Sequence, residues 1–208
     1  MGVVAVLRRE RSLLVRCGIG PALITGARRA RFVVVPLIAD SVGLSASQVG
    51  LVVAIGTGAD MLLFPVAGQL MDRHGRLFAI VPSFLLMAAG LIVLGLADTT
   101  AGVIIAGAVI GIGNGLSAGT MLTYAADLAP DDAPSQFMAA LSAMQGFGGI
   151  ACTLLIGVLA DAVGLGVAAI TSGGVLVMGV VLLVALIGET GPTARSGTPR
   201  GRAGLEQT

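Results

Sequence analysis

Six stretches of this chain are long and apolar enough to cross a lipid bilayer as helices, and nothing else in the sequence limits the fold so strongly. They run from Ser12 to Ala39, Ser47 to Met71, Leu77 to Leu96, Gly102 to Ala126, Gln136 to Ala160 and Gly166 to Ile187. A crossing helix needs about 20 mostly apolar residues. Lipid offers the backbone no hydrogen-bond partners, so a crossing segment is either a helix or part of a closed barrel. These runs are rich in Gly and Ala and do not alternate, which argues against strands. The expected fold class is an all-α membrane protein, a six-transmembrane-helix bundle. Composition agrees, because only 11% of the side chains are charged, against about 25% in soluble domains.

The arginines orient this bundle. Arg8, Arg9 and Arg11 precede the first span, Arg73 and Arg76 separate the second from the third, and Arg195, Arg200 and Arg202 follow the last. The connections at 40–46, 97–101 and 161–165 hold none. The positive-inside rule then places both termini in the cytoplasm of a multi-pass protein of the cell membrane. Residues 1–11 read as a cytoplasmic N-terminal segment, 12–188 as the bundle, and 189–208 as a disordered cytoplasmic tail with too little apolar surface to fold. No small-residue cleavage site precedes the first span, so a removable signal peptide is not expected. The lipid bilayer is the first partner, and a net charge of +1 gives no reason to expect nucleic acid.

Enzyme chemistry is not expected. Gly115-Leu-Ser117-Ala-Gly119 spells the G-x-S-x-G nucleophile pattern, but that pattern works on a strand-to-helix elbow, whereas Ser117 is expected in the middle of a helix. The only histidine, His74, belongs to a different connection. Cys17 and Cys152 are isolated and lack the spacing of a metal or redox site, so no metal and no cofactor is expected.

Charges inside a membrane are costly and tend to be functional. Arg28, Arg29 and Arg31 fall in the first span and Asp60 in the second. At about 1.5 Å per residue, Arg28 lies roughly 24 Å from the inner start of its helix and Asp60 about 16 Å from the inner end of its own. Helical side chains lean toward the N-terminus of their helix, so in antiparallel neighbours these arginines and this aspartate lean toward each other. Asp60 is expected to pair with Arg28 or Arg31 in a polar cavity, either as a static brace or as a protonation-linked switch that couples transport to protons. In span four, Gly107, Gly111, Gly115 and Gly119 repeat every four residues. Such a face serves close helix packing, or else lines a substrate path in which Gly111, Asn114, Gly115 and Ser117 take part.

The connection between spans two and three, Gly68-Gln-Leu-Met-Asp72-Arg-His-Gly75-Arg76, is a short charged turn between apolar runs. A partial echo, Gly157-x-Leu159-x-Asp161-x-x-Gly164, closes span five. It suggests that spans one to three and four to six are inverted copies, a common plan among transporters. The first turn resembles the loop after the second helix in each half of the major facilitator superfamily of secondary transporters. Gly68, Asp72, Arg73, Gly75 and Arg76 fit that signature, while Leu77 stands where a basic residue is usual. The resemblance implies half of such a fold, a 3+3 inverted repeat. It also implies a charge cluster of Asp72, Arg76 and Asp127 that stabilises one conformation. The absence of an arginine from span four, of a Gly-Pro pair from span five, and the tail after Glu189-Thr190 make the chain look more like the C-terminal half.

Because family members usually have twelve spans, the resemblance further implies a second six-helix half, either covalently joined, separately encoded, or a parallel homodimer. The function it implies is secondary active transport of a small-molecule substrate by alternating access. The alternative is a truncated or non-transporting membrane subunit that acts only through helix–helix assembly.

Overall fold

The computed structural model describes residues 11–117, 119–130 and 133–186, with side chains from Leu14 onward. Apart from Arg11, the expected N-terminal segment lies outside the described residues, as does the expected tail. Helices α1 (Arg11–Ser41), α2 (Ala46–His74), α3 (Arg76–Gly95), α4 (Thr100–Leu116), α5 (Thr120–Leu128), α6 (Pro134–Val163) and α7 (Leu165–Leu186) follow one another with short connections. No strand occurs among the described residues. Five stretches are long and apolar enough to cross a membrane: α2, α3, α4 with α5, α6 and α7. At 31 residues α1 is long enough, but Arg16, Arg28, Arg29 and Arg31 lower its apolarity and it is not one of the five.

Local chemistry sets the helix ends. Ser45 caps α2 reciprocally with Gln48: the Ser45 hydroxyl accepts from the Gln48 backbone N–H, and the Ser45 N–H donates to Gln48 Oε1 at 2.8 Å. Each end satisfies a donor that the helix itself leaves unpaired. Thr99 does the same for α4, accepting from Gly102 N at 3.2 Å, and Pro134 starts α6, where its missing N–H costs nothing. Gly75 ends α2 and starts α3 in a single residue with φ +96°, a conformation that a Cβ would strain.

α1 packs along α6 and α7, α4 packs along α2 and α3, and α3 against α7 joins the two groups. Ile24, Phe84, Leu91, Ile110 and Leu176 lie in the shared core. α2 and α6 are peripheral. Only Val52, Ala67 and Met71 are buried in α2, while Met61, Leu62 and Phe64 point outward. Phe147, Leu154, Leu155 and Val158 do so on α6. Such a surface suits lipid, in which association between helices comes from close packing and hydrogen bonds rather than from exclusion of water.

The fourth span departs from expectation. Residues 102–126 were expected as one helix with Ser117 in its middle, but α4 stops at Leu116 and α5 begins at Thr120. Gly119 takes φ +74°, which turns the chain out of the helix. Nearby hydroxyls occupy the carbonyls that the break releases: Ser117 Oγ donates to Asn114 O at 2.8 Å and Thr120 Oγ1 to Ser117 O at 2.7 Å. A broken helix is tolerated at membrane depth when its freed backbone groups find such partners. The buried Ser117 hydroxyl is thereby engaged and has no histidine beside it; His74 stacks on Phe78 at the far end of α2.

Gly107, Gly111 and Gly115 of α4 face α2, and Gly113 faces α3. A Cβ on Gly111 would strike the Gly56 backbone, and one on Gly115 would lie 2.6 Å from the carbonyl oxygen of Asp60. Both glycines let α4 approach α2 closely. Gly111→Leu is therefore expected to lower thermal stability in detergent by about 1–3 kcal/mol or more, whereas Gly174→Leu, where a Cβ meets nothing within 4 Å, leaves it unchanged. Equal losses would show that the α2–α4 contact does not need its glycines.

Candidate functional site

Three helices place their polar side chains at one depth. Asp60 is equally far in sequence from both ends of α2, Asn114 from both ends of the 100–128 stretch, and Arg28 stands two residues past the middle of α1. The side chains meet. Arg28 Nε donates to Asn114 Oδ1 at 2.9 Å. Asn114 Nδ2 donates to Asp60 Oδ2, and Arg31 Nη2 lies 3.6 Å from that same oxygen. Both members of the Arg31–Asp60 pair are largely buried, with side-chain exposures of 14% and 16%.

Aromatic faces complete the setting. The Arg28 guanidinium lies 5.8 Å from the centre of the buried Phe84 ring, and that of Arg31 lies 4.6 Å from Phe32. Ring faces attract cations, more strongly when water is excluded. Asp60 Oδ1 is buried and has no hydrogen-bond partner among the described residues. Arg29 is exposed along α6, where its guanidinium would lie 3.1 Å from a Cβ on Gly149.

The expected pairing of Asp60 with Arg28 or Arg31 thus takes the form of a direct contact to Arg31 and a relay through Asn114 to Arg28. Sequence reasoning missed that relay. Asn114 had been considered only as a contact for a substrate, although a lone amide flanked by glycines at mid-span, opposite a charge on each neighbouring helix, was the signal. Gly111 and Gly115 pack on α2, and Ser117 is engaged with its own backbone. Of the proposed path residues, Gly111 also borders a small apolar pocket with Arg31, Val52, Gly56 and Ile110.

A second cavity, of about 240 Å³, lies between α1, the α4–α5 break and α6. Arg28, Gly119, Leu122, Met138, Ser142 and Gln145 border it. Ser142 and Gln145 were not singled out from sequence, because two polar residues on a long apolar helix carry no pattern of their own.

The charged turn assembles separately, at one end of the bundle. Arg76 Nε donates to Asp127 Oδ2 at 3.1 Å, and Arg76 Nη1 lies 3.7 Å from Asp72 Oδ1. Asp72, Arg76 and Asp127 are therefore together, tying the end of α5 to the start of α3. Arg73 is exposed, Gly75 makes the turn, and a Cβ on Gly68 would meet nothing within 4 Å. No group of three or more metal-ligating side chains occurs among the described residues.

The sequence profile of the Major Facilitator Superfamily matches residues 18–206. No curated protein matches the chain.

Within the terminal cluster the two acids are unequal, since the Asp127 side chain is 22% exposed and that of Asp72 is 80% exposed. Exposed pairs contribute about 0–1 kcal/mol, and hydrogen bonds to charged groups about 1.5–3 kcal/mol. Asp127→Asn is expected to lower the detergent melting temperature measurably, and Asp72→Asn to leave it nearly unchanged. The reverse order would mean that the i,i+4 contact holds the turn.

Proposed function

The chain belongs to the Major Facilitator Superfamily, and from that premise we propose that it is a secondary active transporter, or half of one, moving a small solute across the cell membrane by alternating access. The observation that carries this reading is the mid-depth network of Arg28, Asn114, Asp60 and Arg31 beside a cavity at a broken helix. Charges are placed at membrane depth when they serve a path or a coupling step, and transporter sites lie near the midplane where helices are interrupted. The family consists of transporters rather than enzymes.

A six-span bundle of two inverted three-helix copies is part of the same reading, with α4 and α5 together as the fourth span. Its support is a constant offset of 89 residues (164 − 75). Gly75 and Gly164 have φ/ψ of 96°/169° and 106°/157°, and their N–H groups bond Met71 O and Ala160 O. Ser83 and Ser172 each bond the carbonyl four residues back, Ala79 and Ala168. Gly26 approaches Cys152 on α6 as Gly115 approaches Leu63 on α2. Every one of these pairs differs by the same 89 residues. The packing order repeats too: α1 with α6 and α7 matches α4 with α2 and α3.

The outward apolar faces of α2 and α6 would meet lipid and the second six-helix half. Both termini and the Asp72–Asp127 end would lie in the cytoplasm, as the arginine distribution requires. Asp60 is the proposed proton carrier, because one of its oxygens is buried and unpartnered and because protonation would loosen its hold on Arg31. No other cofactor is proposed.

Alternating access can be tested without knowing the substrate. In a background with Cys17 and Cys152 replaced, Ser142→Cys is labelled with a membrane-impermeant maleimide in right-side-out and in inside-out vesicles. Labelling from both sides is expected, and labelling from one side only would favour a non-transporting subunit. The ratio of the two is expected to change with pH, and Asp60→Asn is expected to abolish that change. A ratio that does not move with pH leaves Asp60 as a static brace.

A further inference from the structure

The mid-depth network does not balance its charge. Arg28 and Arg31 are opposed by Asp60 alone, and Arg29 adds a further positive charge nearby. Among the described residues no other acid lies on α1, α2, α4 or α6 at that depth; Asp40, Asp72 and Asp161 are at helix ends. An uncompensated cation in a membrane interior is expensive. Something supplies the missing negative charge.

The geometry indicates where. Arg28 commits only Nε, to Asn114; among the described residues its two terminal amino groups meet no hydrogen-bond acceptor. Arg28 also borders the 240 Å³ cavity. On the other walls stand the Ser142 hydroxyl and the Gln145 amide, both capable of donating, with Gly119, Met121 and Leu122 at the start of α5. That helix start has no side-chain cap, and helix starts carry a partial positive charge. With no acceptor at either terminal amino group among the described residues, the Arg28 guanidinium suits the paired oxygens of a carboxylate or related oxyanion. The remaining wall is apolar, with Leu122, Ala125 and Met138. It would receive the hydrocarbon part of an organic acid.

We propose that this cavity is an anion site in which Arg28, Ser142 and Gln145 hold the carboxylate of a small organic acid, so that the solute class is anionic. The proposal rests on the transporter reading above for its biological meaning, but binding itself does not require transport. Asp60 and Arg31 act as positioning residues: with Asn114 they fix the Nε side of Arg28 and leave its terminal amino groups to the ligand.

The test is thermal stability of the purified full chain in detergent at fixed pH and ionic strength. The probes are acetate, lactate and benzoate, each set beside its neutral amide, with phosphate and sulfate as inorganic oxyanions. At least one carboxylate is expected to raise the melting temperature by about 3 °C near saturation, with its amide giving no shift. Gln145→Leu and Ser142→Ala are expected to keep the ligand-free melting temperature while weakening the carboxylate effect at least threefold in half-saturating concentration. Arg28→Gln is expected to abolish it and Arg28→Lys to restore part of it.

Amides that stabilise as well as acids would overturn the proposal, as would a carboxylate effect that survives Arg28→Gln in a folded variant. Shifts from phosphate or sulfate alone would move the class to inorganic anions and overturn the carboxylate assignment. No shift with any probe overturns it as well. Carboxylate binding together with maleimide labelling from one side only would instead sink the transporter reading and leave the anion site standing.

Discussion

An arginine buried inside a bundle of apolar helices must find its partners within the protein, and in this chain Asn114 makes that possible for two helices at once. Its carbonyl oxygen accepts from Arg28 and its amide nitrogen donates to Asp60. An ionised acid in its place could only accept, and a lysine or arginine could only donate. The amide, with an acceptor oxygen and a donor nitrogen, can stand between a cation and an anion and satisfy both. That requirement reaches into the backbone. For Asn114 to meet Asp60, α4 must lie close against α2, and Gly111 and Gly115 supply the closeness by leaving no Cβ in the way of Gly56 and Asp60. The small-residue face and the charged network are thus two aspects of one contact.

The helix breaks just beyond Asn114. Gly119 turns the chain, and the Ser117 and Thr120 hydroxyls bond the nearby carbonyls of Asn114 and Ser117. The displaced segment is held at its far end by Asp127, through Arg76 at the start of α3. A cavity is left at the break, bounded by α1 and α6. The terminal charge cluster thus fixes the far end of α5, while the mid-depth network holds α4, the helix before the break.

Much of this was legible in the sequence where the physics is one-dimensional. Membrane class follows from length and apolarity, and the starts of the second and fifth spans, expected at Ser47 and Gln136, fall within two residues of the α2 and α6 starts at Ala46 and Pro134. The pairing of Asp60 with an arginine was legible because side-chain lean and rise per residue fix depth. Three features were not, the Asn114 relay among them. Gly119 was one glycine among several at regular spacing, and nothing local distinguishes a glycine that packs from one that breaks a helix. Ser142 and Gln145 gain meaning only from their position opposite Arg28, a relation between helices more than a hundred residues apart.

On the proposed 89-residue repeat, the departures from symmetry coincide with the site. The partner of Asp60 is Gly149, that of Arg28 is Ser117, that of Arg31 is Thr120, and that of Asn114 is Thr25. Both copies keep the glycines and serines that pack helices, Gly26 with Gly115 and Ser83 with Ser172. All three ionisable members of the network belong to the first copy, and the bridging amide belongs to the second. A duplicated scaffold supplies two equivalent crossings, but charge at mid-depth in both would double the desolvation cost with no added use. Where the second copy has Gly149 in place of an aspartate, Arg29 lies alongside it with no acid against it among the described residues. The asymmetry that leaves the arginines of α1 in excess is therefore the same asymmetry that makes one side of the bundle receptive to a negative charge.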